Sequence, residues 1–214
     1  MKKFVFPVLV ICFAALSSTH GTLASQAAHA ASAAQPVPVA QSASADKTAP
    51  SYDMKAQSIL DMQDMQKKFT GLAEAIPADK YSWKPGEGVR TVSELFLHVA
   101  SANYGIPNML GIPTPAGFNG KTYEKSTTDK AKIIDELNKS FTSAIGMIQN
   151  MTNADFAKPE KKLGPDANDG DIVYLLVVHA HEQLGHAIVY ARSNGVVPPW
   201  TAEALKKNAK ATQE

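Results

Sequence analysis

The chain has 214 residues, with 21 Lys and Arg against 20 Asp and Glu and a formal net charge of +1. That near-neutral balance, with no basic stripe and no interleaving of basic and aromatic residues, argues against nucleic acid as a partner. A single cysteine, Cys12, excludes a disulfide framework.

Met1, Lys2 and Lys3 make a short basic start, and Phe4 to Leu16 is an apolar run too short to span a bilayer. Small residues follow, with candidate cleavage points after Ala24, Ala27 and Ala30. This is the pattern of a secretory signal peptide over 1–24, with cleavage as late as 30. Cys12 lies inside the apolar run behind Ile11, not behind the small residue a lipoprotein signal wants, so the mature chain is expected to carry no thiol. Residues 25–50 are rich in Ala, Ser, Gln and Pro and hold too little apolar surface to offset chain entropy. They read as a flexible, disordered tether. The remaining stretch, 51–214, is long enough for one domain with its own core. No second membrane span is expected, and export places the protein in the periplasm or outside the cell.

Four helical segments follow in order. Met54, Ile59, Met62, Met65, Phe69, Leu72 and Ile76 recur at near-helical spacing and predict a helix over about 53–75, stopped by Pro77. Thr91 and Glu94 form a capping box that opens a second helix, bent or ended near Gly105 and Pro107. On it His98 sits at the edge of a Val92, Leu95, Val99 and Ala102 stripe, with Glu94 one turn earlier and placed to orient its ring. The ordinary reading of such a histidine is a boundary residue. Residues 107–126 form a long loop. Ile133, Ile134, Leu137, Phe141, Ile145 and Ile148 predict a third helix from about 128 or 129 to 151, and 152–168 a second loop.

The fourth helix starts after Asp169, read as its N-cap, and ends at Asn194 with Gly195 beyond it. It is apolar nearly all round, as a buried helix is. At about 100° per residue, His179, Gln183 and His186 share one face with Ile172, Leu175, Leu176 and Tyr190, while His181 points the other way. Unpartnered burial of each polar group would cost about 1–3 kcal/mol. A divalent metal, a water cluster or another polar side chain would satisfy them. The outer strip, Tyr174, Val178, His181, Gly185, Val189 and Arg192, is apolar for a solvent face and suits a helix–helix interface. A short polar helix is expected over 201–212. No strand alternation stands out, so the fold expected is all-α, a four-helix bundle with two long connections.

The order of parts over 52–200 resembles the DinB superfamily. The resemblance rests on the first amphipathic helix, the loop Lys80 to Pro85, the segment Arg90 to Ala100, an H-x-H-E-x-L-G motif from His179, and Y-A-R-x-N-G-V-V-P-P from Tyr190. It implies a four-helix bundle, a frequent homodimer, and a divalent metal held by one histidine of the second helix and an H-x-x-x-H pair on the last. Carried over, the ligands match His98 and His179, but the third falls on Gln183. His186 stands three residues later, as though His and Gln were exchanged. Glutamine is a poor ligand for zinc or nickel beside imidazole. Either the site has shifted, with His98, His179 and His186 as ligands and Gln183 among them, or the metal is lost and a polar cluster remains.

Two functional classes stay open. One is an exported metal-dependent hydrolase or transferase of a small molecule, with an open position on the metal and no catalytic residue assigned beyond it; export argues against thiol transfer, because the thiols such relatives use are mainly cytoplasmic. Glu94 and Glu182 are candidates there for orienting a ligand or taking a proton. The other is a non-catalytic module that binds a ligand or dimerises.

Overall fold

The computed structural model describes residues 52–212; the leader expected over 1–24 and the tether over 25–50 lie outside them. Four long helices carry the fold: α1 (Met54–Ala75), α2 (Val92–Asn108), α3 (Lys130–Asn150) and α5 (Asp169–Ser193). Two shorter ones join them, the single turn α4 (Asn153–Phe156) and α6 (Pro199–Ala211). No strand occurs among the described residues.

Local chemistry sets most boundaries. Asp53, Thr91, Asp129 and Asn168 each accept a backbone N–H of the first turn of their helix, and Thr91–Glu94 is a full capping box. Two expectations need correction. Asn168, not Asp169, caps α5, because its side chain and that of Asp171 satisfy each other's backbone donors. α2 ends at Asn108, as expected near Pro107, which packs inside its last turn beside the buried Tyr104. The 152–168 loop contains α4, opened by a capping box between Thr152 and Asp155. Gly195 ends α5 at φ 73°, a left-handed conformation that glycine adopts without strain.

α1 and α2 each pack against both α3 and α5, so the ring order is α1, α3, α2, α5. Lysines reveal the sense of the first pair. Lys130, which opens α3, donates to Glu74 and Ile76 carbonyls at the end of α1 (2.7 and 2.8 Å). Lys55, at the start of α1, donates to Gln149 and Met151 carbonyls at the end of α3 (2.8 and 2.6 Å). The two helices are therefore antiparallel, and each lysine meets the negative end of its neighbour's dipole. Tyr190, late in α5, donates to the Arg90 carbonyl just before α2 (3.0 Å), which sets α2 and α5 antiparallel too.

The core is built of Met62, Met65, Phe69, Leu72, Phe96, Leu97, Ile133, Leu137, Phe141, Leu176 and their neighbours. Phe69 is fully buried against Phe96 and Phe141, with ring centroids 6.5 and 5.7 Å away. Pro77 has no N–H to return to the Ala73 carbonyl, and the buried Tyr81 hydroxyl donates to that oxygen instead at 2.7 Å. This anchors the segment leading into α2. Val92 and Ser93 N–H groups then bond back to the Trp83 and Tyr81 carbonyls (3.0 and 2.9 Å), and the Trp83 ring meets Tyr190 edge-on at 5.6 Å. By length and composition α5 could cross a membrane, but its inner face is spent on the bundle core.

Candidate metal centre

α2 and α5 are neighbours in the ring, and each turns one histidine into the seam between them. His98 Nε2 and His179 Nε2 stand 3.1 Å apart, with ring centroids at 5.1 Å. Two imidazole ligands of a tetrahedral ion, bonded at about 2.0–2.1 Å, would lie about 3.3 Å apart. The pair therefore fits an ion with little movement. His179 is held below its ordinary pKa of 6.5, first by burial and then by His98, so the ring is neutral and able to ligate near pH 7. Its Nδ1 is buried and has no hydrogen-bond partner.

The other side of His98 is occupied. Glu124, from the loop between α2 and α3, accepts from His98 Nδ1 through Oε1 at 2.7 Å. The same carboxylate takes Arg90 Nε on Oε2 (2.7 Å) and Arg90 Nη2 on Oε1 (3.2 Å). Burial works to raise the Glu124 carboxyl, but the hydrogen bonds from Arg90 and His98 outweigh it and leave it below the usual carboxylate range. Arg90 is raised in turn, first by its hydrogen bond to Glu124.

Of the residues singled out in the sequence, the structure brings His98 and His179 together and leaves His186 out. His186 is exposed, and its Nδ1 donates to Gln183 Oε1 at 3.2 Å. Gln183 itself is buried. The expected convergence of three imidazoles is thus corrected to two. Among the described residues no cluster of three or more His, Cys, Asp or Glu is placed to hold a metal ion. Helical period explains the loss: with Ala180 at the centre of the buried face, His186 lies about 120° away and His179 about 100°. Both are at the edge of that face, and only His179 finds a partner across the seam.

Glu94 does not orient His98. Its Oε2 accepts the Thr91 N–H at 2.8 Å as part of the cap. Glu182 is exposed. Glu124, which does hold the ring, was not signalled by sequence, because a loop has no periodicity to say where its side chains go.

Beside this seam lies a cleft of about 730 Å³, lined by Arg90, Glu94, Glu124, Gln183, His186 and Tyr190 among others. A hollow of about 500 Å³ between α1 and α6, near Trp200, contains none of the groups just described. The cleft therefore has the chemistry and the hollow does not.

The family model of the DinB superfamily matches residues 61–187. Among solved structures, a DinB-like protein from Bacillus cereus ATCC 10987 superposes with a TM-score of 0.59 at 16% identity, over 67% of this chain and 95% of that one. YfiT from Bacillus subtilis, described as a probable metal-dependent hydrolase with an unusual four-helix bundle topology, gives 0.55 at 14% identity, over 71% of this chain and 93% of that one. No curated protein matches the sequence significantly.

Proposed function

Since the chain belongs to the DinB superfamily, we propose that it is an exported protein that binds one divalent ion, zinc or nickel, and acts as a metal-dependent hydrolase or transferase on a small molecule held in the adjoining cleft. The observation that carries this reading is the 3.1 Å approach of His98 Nε2 and His179 Nε2. His98 and His179 would supply two nitrogens to such an ion, leaving its other positions to water or substrate. When bound, such an ion supplies Lewis-acid chemistry. The chain's own part is to present two imidazole nitrogens, to hold His98 from behind through Glu124, and to shape the cleft with Arg90, Gln183, His186 and Tyr190. The likeness to a protein described as metal-dependent supports the reading in general terms. Export rests on the basic, apolar and small-residue succession of the leader.

Elemental analysis of protein purified without a polyhistidine tag, followed by zinc and nickel titration, tests it. Expected is about one ion per chain, lost in His98→Ala and His179→Ala. Metal-free protein that takes up neither ion at micromolar concentration overturns it.

One observation favours a second reading, a dimerising module without catalysis. Tyr174, Val178 and Val189 stand 61%, 41% and 58% exposed on the outer face of α5, uncovered by any described part of the chain. A Cβ at Gly185, amid them, would meet nothing within 4 Å. Such a face suits a second copy of α5.

A further inference from the structure

Glu124 reaches the site from a loop, and the loop is built to deliver it. Tyr123, the preceding residue, donates its hydroxyl to Glu136 Oε2 on α3 at 2.5 Å. The Tyr123 ring sits against Phe118 and Tyr104, with centroids 4.9 and 6.3 Å away. The backbone at Glu124 is thereby pinned between α2 and α3. Arg90 grips the carboxylate from the far side, one nitrogen to each oxygen. Held from two directions, Oε1 faces His98 Nδ1. A carboxylate already accepting from a guanidinium is an acceptor, so the ring nitrogen that meets it is the one carrying the hydrogen. The other nitrogen, Nε2, is then bare, and it is the one aimed at His179.

We propose that Glu124 is the positioning residue of this site: braced by Arg90 and Tyr123, it fixes His98 in the Nδ1–H tautomer and turns the Nε2 lone pair toward a divalent cation shared with His179. The cation half of this inference rests on the metal reading above; the tautomer half does not. A carboxylate behind a ligating imidazole raises its basicity and sets its ring orientation, and losing such a partner costs about 10–100-fold in metal affinity.

Two measurements on the full domain separate the halves. Long-range nitrogen–proton spectra of the metal-free protein should show His98 protonated at Nδ1, and Glu124→Ala should lose that preference while circular dichroism stays helical. Zinc affinity, read against a chelator, should fall about 10–100-fold in Glu124→Ala, less in Glu124→Gln, whose amide oxygen still accepts. Arg90→Gln, which loosens the carboxylate without removing it, should fall between Glu124→Gln and the parent. His98 protonated at Nε2 in the parent, or a tautomer and zinc affinity indifferent to Glu124→Ala, overturns the proposal. A parent that binds no zinc overturns the metal reading and the cation half with it, whereas a tautomer that still answers to Glu124→Ala upholds the positioning role.

Discussion

His98 and His179 are 81 residues apart in the chain and face each other across the α2–α5 seam through their Nε2 atoms at 3.1 Å. Neither helix makes a site alone. Without a metal, the one hydrogen between the two nitrogens belongs to His179, because His98 carries its own on Nδ1 toward Glu124. A metal there would need that hydrogen moved to His179 Nδ1, the buried atom without a partner, so binding would change the tautomer of a neutral ring and release no proton from it.

Position 183 is where the site departs from the three-histidine pattern the resemblance implies. Gln183→His should raise zinc affinity by tenfold or more, about 1.4 kcal/mol, measured by chelator competition. His98→Ala should abolish binding in both backgrounds. Equal affinity for the parent and Gln183→His would mean that residue 183 does not face the ion.

Acid should weaken the metal-free fold through His179. Burial and His98 hold its pKa below 6.5, so around that pH the folded state binds fewer protons than the unfolded chain. The stability from this source is complete above about pH 6.5 and is lost as pH falls through the lower folded value. The charged and titratable groups that act on the ring are His98, Arg90 and Glu182. Glu124, also depressed, adds a loss of the same sign at more acid pH. The urea midpoint should therefore fall between about pH 7 and 5.5, and fall less in His179→Asn. Parallel profiles would show that His179 is not the group responsible.

The outer face of α5 predicts a two-fold dimer. Because a side chain at Gly185 meets open space within the subunit, Gly185→Leu should leave the fold intact and shift the dimer toward monomer. Val189→Glu should do the same. Light scattering on chains beginning after residue 30 reads the mass directly. A monomer at micromolar concentration, unaltered by Gly185→Leu, counts against this interface.

Tyr81→Phe tests the join between α1 and α2. It removes the hydroxyl that donates to the Ala73 carbonyl in place of the N–H that Pro77 lacks. The cost should be about 1–2 kcal/mol, a fall of roughly 2–8 °C in Tm. An unchanged Tm would mean that water replaces the hydroxyl at no cost.

Helical spacing and end chemistry were sufficient, by themselves, to place the four long helices. The Met62, Met65, Phe69 and Leu72 series, the Thr91–Glu94 box and the Gly195 stop all act within one or two turns of chain, and the structure keeps each of them. The same local rule put His179, Gln183 and His186 on one side of α5, and that direction holds only as far as a period can carry it. Whether an edge position is buried depends on what stands opposite. His98 stands opposite His179, while His186 faces the open cleft and turns back to Gln183. Glu124 was beyond any local signal, since its place is set by Tyr123 on Glu136 and by Arg90 across the loop. Periodicity belongs to the helix; the meeting of two helices and a loop belongs to packing between residues distant in the chain, and only the tertiary structure decides it.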